Sequence, residues 1–344
     1  MPRKTATAII VPVLSILAAM IASSTLVALT GNNPLMVFRK MILSTLGSGY
    51  GLGQIIFRAT TLLLTGLAVA LPFKVRLFNI GAEGQLLMGS FAAALAGIAI
   101  PATLPMPAAA SLALFAAMCA GCFWALLAGW MKIRFGVNEV ISTIMLNFIA
   151  QACTGYVLTY HLAVPSTVHT PLIAESSRLP RLDHLLGLFG KSPANVSTFI
   201  AVCTSVAVTI LLYRTRFGYE MRAVGLKPEA AAYAGIKTDL HVLSAICLAG
   251  AIAGLGAGNL VLGYKHYYET GLTSGAGFMG IAVALLADAH PLWLLLSALL
   301  FGWLDYGGLT VNTSVPKDLF MMVQAMTILC IISLTALLRR NQNR

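Results

Sequence analysis

The stretch Phe78-Asn79-Ile80-Gly81-Ala82-Glu83-Gly84-Gln85 is the part of the chain best suited to chemistry. It sets two glycines and three polar side chains, Asn79, Glu83 and Gln85, between long apolar runs. A carboxylate at bilayer depth costs roughly 2.5–3.5 kcal/mol and persists only where it faces protein or water. Unwound backbone at that depth is tolerated under the same condition. Two readings follow. Either the segment is a discontinuous helix beside a translocation path, a device of transporters, or Glu83 lies at the membrane interface and caps the next helix, where an acid suits the helix dipole. Lys74 and Arg76 stand close enough in sequence to leave both open. Asp305, beside Tyr306, is a second acid inside an apolar run, of the kind a proton-coupled carrier uses as a relay. Asp288 with His290 fits the end of a span.

Other patterns carry less. Cys119 and Cys122 form a C-x-x-C, but all six cysteines lie in apolar runs, where a thiol stays protonated and packs. No metal-ligand spacing joins them to the six histidines. Gly275, Gly277 and Gly280 match G-x-G-x-x-G without the strand that a dinucleotide site requires. No G-x-x-x-x-G-K-[ST] occurs, so ATP, if it drives this protein, is bound by another subunit and the chain itself holds no cofactor.

The elements that must position these groups are set by composition. Of 344 residues, 58% are hydrophobic and 10% charged, and the mean hydropathy is +0.87. About 25% charged is usual for a soluble domain, so a cytosolic enzyme, a disordered chain and a disulfide-stapled secreted domain are excluded. The expected fold is an all-α polytopic integral membrane protein, one permease-like domain over residues 1–344, with about ten transmembrane helices at roughly 20 residues each and a broken segment near 78–85. The apolar runs are Thr7–Leu29, Ile55–Leu71, Leu86–Ile100, Ala109–Trp130, Val140–Tyr160, Thr198–Tyr213, Val242–Leu262, Gly271–Ala287, Leu292–Val311 and Leu319–Leu338, with Gly31–Gly53 read as a loop. The first run is too long for a signal peptide's apolar core. The net charge of +11 marks topology rather than nucleic acid, because the bases sit between the runs. With both termini cytoplasmic, 14 bases fall inside and 7 outside, and Arg58 lies within a span. On this plan residues 161–197, with four prolines, form an external loop, and residues 213–239 form the one substantial cytoplasmic loop. Gly250, Gly254 and Gly258 recur every fourth residue, a spacing that lets membrane helices approach closely.

Within the cytoplasmic loop, Pro228 suits a first helical position, Glu229 favours the helix dipole, Ala230 to Ala232 form helix readily, and Gly235 suits a left-handed end. The product is a short helix with a small-residue face, flanked by Arg222 and Lys237, able to enter a groove on a partner.

Four stretches carry a family resemblance. Phe78 to Gln85, Val137 to Asn147, Arg216 to Ile236 and Gly277 to Leu286 resemble motifs of the permease subunits of nucleoside and simple-sugar ABC importers, with branched-chain amino-acid and ribose permeases as more distant relatives. The resemblance covers residues 78 to about 310. Gly225-Leu226-Lys227-Pro228 departs from it, lacking a small polar residue after the glycine. It implies a multi-pass protein of a bacterial plasma (inner) membrane, in contact with lipid, that works with a cytoplasmic ABC ATPase, a second homologous permease and an extracytoplasmic solute-binding protein. It further implies a solute path bordered by Asn79, Glu83, Gln85 and Asn147, and ATPase coupling through Gly218, Arg222, Pro228, Glu229, Ala231 and Gly235. A self-contained proton-coupled carrier using Glu83 or Asp305 is the rival reading. A membrane-embedded enzyme lacks an assembled set of His, Ser, Cys and acid residues at depth.

Overall fold

A computed structural model describes residues 31–313 together with a few isolated positions on either side. Twelve helices occur among the described residues: α1 (Pro34–Leu46), α2 (Gly49–Phe73), α3 (Ala82–Ala99), α4 (Met106–Phe135), α5 (Glu139–Leu162), α6 (Leu182–Leu186), α7 (Ser197–Arg214), α8 (Arg216–Leu226), α9 (Pro228–Tyr233), α10 (Thr238–Lys265), α11 (Ala276–Leu286) and α12 (Trp293–Thr310). Seven of them, α2, α3, α4, α5, α7, α10 and α12, are long and apolar enough to cross a membrane. The last turns of α5 and α10 are wound as π-helix. The expected first and last spans, and both termini, lie almost wholly outside the described residues.

Two expectations are corrected. The Gly271–Ala287 run is no full-length helix: α11 has 11 residues. That is roughly 16 Å of helix, about half of a bilayer core of about 30 Å. Gly271 and Gly275 both take φ 79°, and these left-handed turns keep the chain irregular until Ala276. The Gly31–Gly53 segment is no simple loop, because it holds α1 and the start of α2. Asn33 accepts the Leu35 N–H at 3.0 Å and Pro34 occupies the first helical position.

The bundle is built around α2 and α10, whose spanning residues are mostly buried, while α7 lies at the periphery. α4 and α10 cross through small residues. Ala109, Ala113, Ala117, Gly121 and Ala125 recur every fourth position on α4, and Ala245, Ala249, Ala253 and Ala257 do so on α10, all buried. A Cβ on Gly250 would clash with the Gly121 carbonyl, and one on Gly89 of α3 would lie 2.6 Å from Gly254. The backbones of three helices therefore touch, as lipid-embedded helices need when no hydrophobic force drives them together. α4 stops at Gly136 (φ 65°), and Lys132 reaches Glu139 at 2.8 Å to tie α4 to α5.

The two long connections lie at opposite ends. Residues 163–196 fold onto the end where α2 begins: Gly49 packs near Phe189, and the Leu179 N–H donates to the Leu262 carbonyl at 2.9 Å. The segment with α8 and α9 covers the end where α2 stops, with Arg76 donating to the Leu226 carbonyl at 2.7 Å.

Gly250→Val places a branched side chain against backbone that cannot recede, at a cost of about 3 kcal/mol. The melting midpoint of the purified permease should fall. Gly155→Ala, whose Cβ meets open space, should leave it unchanged, and equal midpoints for both variants would refute this helix crossing.

Candidate functional site

α2 ends at Phe73, after Pro72, and the chain turns back into the bundle. Arg76 adopts φ 60°, and the Leu77 N–H returns to the Pro72 carbonyl at 3.0 Å. Residues 77–79 have no regular structure. The Asn79 side chain donates to the Ala68 carbonyl, five positions inside the end of α2. At 1.5 Å per residue this places the break roughly 7 Å below the helix end.

Three backbone groups of the break meet side chains. Asn79 accepts the Gly81 N–H at 3.1 Å and pairs reciprocally with the Gln85 amide, 3.0 Å in each direction. With the bond to Ala68, both hydrogens and both lone pairs of the Asn79 amide are engaged. From α5, Asn147 accepts the Gly84 N–H at 2.8 Å and donates to the Ile80 carbonyl at 3.0 Å. Asn79, Gln85 and Asn147 are all buried. The structure thus gathers these three candidate residues into one network, with their bonds directed at the protein.

Glu83 reaches away from that network, toward α11. Its carboxylate accepts from the Thr273 hydroxyl at 2.5 Å, the Gly275 N–H at 3.2 Å and the Gly277 N–H at 2.6 Å. Glu83 does cap a helix, but it is α11 inside the bundle, while its own helix has no side-chain cap. Two helix N-termini meet at this carboxylate, where their dipoles favour a negative charge. The glycines of the G-x-G-x-x-G pattern make the meeting feasible. Gly275 supplies the left-handed turn, a Cβ on Gly277 would strike the Glu83 backbone, and one on Gly280 would lie 2.6 Å from the Thr65 hydroxyl. Thr65 in turn donates to the Ala276 carbonyl at 3.0 Å. Thr65 and Thr273 carry no motif in the sequence, where a hydroxyl in the middle of the apolar α2 run is the one signal, and the three glycines stand out there only as a G-x-G-x-x-G match and the start of a family motif, not as the partners of Glu83.

Asp305 is no free acid. It is ion-paired with Arg58 of α2.

The second group of candidates sits at the α8–α9 end. Thr215 caps α8 by accepting the Gly218 N–H at 3.1 Å. Gly218 packs on the end of α7, where a Cβ would clash with the Leu211 carbonyl. Arg222 lies 5.1 Å from the Tyr213 ring, which stacks on His290 just beyond α11. A Cβ on Gly225 would clash with the Lys74 carbonyl. Burial pushes the Lys74 ammonium below its usual range, with Asp288 opposing that shift and Arg222 adding to it. The hydrogen bond from Arg216 holds Glu220 below the usual carboxylate range, and Glu220 lies 3.1 Å from His241 of α10. Pro228 opens α9, and Gly235 (φ 81°) follows its end. Ala231 is buried against the bundle rather than presented outward. The outward residues include Glu229, Ala230, Leu226 and Tyr233, the last 95% exposed.

A family model described as "Branched-chain amino acid transport system / permease component" matches residues 51–332. The chain is 35% identical to a glucose ABC transporter permease protein of Haloferax volcanii, over 96% of this chain and 90% of that one. It is 34% identical to a guanosine ABC transporter permease protein of Bacillus subtilis, over 94% and 93%. A second guanosine ABC transporter permease protein of that bacterium is 27% identical, over 82% and 90%.

Removing either side chain that satisfies the break should destabilise the fold. Glu83→Ala orphans the α11 N–H groups, and Asn147→Leu orphans Gly84 N–H and Ile80 C=O, at about 1–3 kcal/mol for each buried group left unpaired. Thermal unfolding in detergent should show both variants melting earlier than the parent. A parent-like midpoint for both would mean that these groups find other partners.

Proposed function

The chain belongs to the permease family of ABC transporters, as the membrane subunit of an importer whose ATP is hydrolysed by a separate subunit, and on that premise we propose how it works and what it carries. Its solute is a nucleoside or a simple sugar, the chemistry shared by its relatives' names. It pairs with a second homologous permease, in keeping with the two different guanosine permeases of Bacillus subtilis that resemble it. An extracytoplasmic binding protein delivers the solute to the end covered by residues 163–196, and a cytoplasmic ATPase docks at α8–α9. The membrane is the plasma membrane, with both termini cytoplasmic.

One observation carries the coupling. α8 is wedged against Lys74 and bonded to Arg76, and those residues lead directly into the break. Arg222 of the same helix lies against the ring of Tyr213 on α7, which is stacked on His290 at the far end of α11. A push on α8–α9 therefore reaches both the chain entering α3 and the half-helix that Glu83 caps. Gly218, Arg222, Pro228, Ala231 and Gly235 fix this unit to the bundle, and Glu229 with Tyr233 faces the ATPase. In this reading Asn79, Gln85 and Asn147 brace the path wall, and Glu83 marks the point where it opens. The proton-coupled alternative is not favoured, because Asp305 is paired and Glu83 is held by three donors.

Tyr233→Ala removes an exposed side chain without touching the core. In the reconstituted complex it should abolish most solute-stimulated ATP hydrolysis and uptake while the permease remains folded. Gly235→Val should do the same by straining the left-handed end of α9. Wild-type uptake by both would show that the ATPase couples elsewhere.

Sidedness has its own test. In a cysteine-free background, Lys227→Cys should resist an impermeant thiol reagent added outside intact cells, and the exposed Leu172→Cys should react. The reverse pattern would invert the topology.

A further inference from the structure

Arg58 and Asp305 bridge α2 and α12, and their side chains remain 24% and 29% exposed. Arg58 is the tenth residue of α2, roughly 14 Å along the helix and so within a bilayer core of about 30 Å. Charged groups at that depth almost always face protein or water rather than acyl chains. The pair is also not alone. Tyr50, Gln54 and Arg58 are spaced by four and form one stripe, in which Gln54 donates to the Tyr50 hydroxyl at 2.8 Å. The Tyr306 ring lies 5.9 Å from the Arg58 guanidinium. From Ala59 to Pro72 every residue of α2 is buried. The open stretch of α2 therefore runs from the 163–196 end down to Arg58 and stops there.

The chemistry of this face is specific. The pair meets through one guanidinium nitrogen and one carboxylate oxygen. Arg58 Nε is itself buried without an acceptor, and among the described residues the second guanidinium NH2 group and the other Asp305 oxygen make no hydrogen bond on the partly exposed side of the pair. A donor and an acceptor thus stand side by side with net charge near zero, flanked by aromatic rings. Such a wall has no excess charge for an anion or a cation. It suits two adjacent hydroxyls of a neutral sugar: one donates to the carboxylate, its neighbour accepts from the guanidinium, and a ring face of Tyr50 or Tyr306 covers the apolar side of the sugar.

We propose that Tyr50, Gln54, Arg58, Asp305 and Tyr306 line a water-filled vestibule in the outer half of the path and bind vicinal hydroxyls of the solute in transit. This rests on the reading that the chain carries a nucleoside or sugar, and it adds the residues that touch the solute.

The complete complex in proteoliposomes tests it, with guanosine and glucose as probes. A cysteine-free permease carrying Gln54→Cys should react with an impermeant thiosulfonate added on the binding-protein side, and the transported probe should slow that reaction. Asp305→Asn keeps the shape and removes the charged acceptor; KM for the probe should rise about tenfold to a hundredfold, as loss of a charge-assisted hydrogen bond implies. Any residual uptake of dideoxyguanosine, which lacks the vicinal hydroxyls, should be insensitive to the same change. The pair Arg58→Leu with Asp305→Leu should leave the melting midpoint nearly unchanged, since a water-facing ion pair contributes little to stability, yet abolish uptake. An unreactive thiol at position 54 would mean that a second permease or lipid covers the stripe, and would overturn the vestibule. Wild-type uptake by the double leucine variant would reduce the pair to a helix staple. Import of neither probe by the parent complex would instead defeat the solute reading, and the thiol reaction would still decide whether the stripe faces water.

Discussion

A backbone N–H or C=O left unpaired at bilayer depth costs several kcal/mol, because no water is there to take it. Among the described residues the chain leaves regular helix inside the bundle at residues 77–81 and at 266–275, and the rest of the site is organised around satisfying what those breaks expose. Asn79 and Asn147 serve the first break; Glu83 and Thr65 serve the second. The two repairs share a residue range, since Glu83 belongs to the first turn of α3 and caps α11. Moving one break without disturbing the other is therefore difficult. The two interruptions are thereby bonded into one joint, with Glu83 of α3 held by Thr273, Gly275 and Gly277.

The surroundings of the joint are graded. Where α4 and α10 cross, small residues bring backbone against backbone and leave little room for sliding. At the α8–α9 end, contacts run instead through a guanidinium, an aromatic stack and left-handed residues at Arg76, Asp288 and Ala289. Such contacts rearrange at lower cost than close-packed backbone. The proposed input from the ATPase enters on this adaptable side, and the tight α4–α10 pair provides the frame against which it acts.

Much of this was legible in residue types. The polar insert at 78–85 announced a break because apolar runs on either side leave Asn79 and Gln85 no reason to be there unless they pair, and Gly250 with Gly254 announced a close crossing. The partner of Glu83 was not legible. It lies some 190 residues away in sequence, among glycines whose spacing suggested only close helix packing or a nucleotide fingerprint. Ala231 misled for a related reason: a small residue reads equally as a docking face and as a core contact, and only the rotation of α9 against the bundle decides. Asn259 sits in an apolar run and was passed over, yet it donates to the Phe57 carbonyl and the Thr61 hydroxyl and accepts from Asn195. Arg58 was counted as a base within a span, but its pairing with Asp305, 247 positions on, depends on how α2 meets α12.

In the proposed cycle the joint of α3 and α11 is closed at rest and is moved by ATP through α8–α9. Hydrogen exchange on the assembled complex reads it directly, in peptides covering residues 78–85 and 274–280. Both peptides should be strongly protected without nucleotide and should exchange faster together when the ATPase is trapped in its ATP-bound state. Exchange that is already fast at rest, or that is identical in the two nucleotide states, would contradict it.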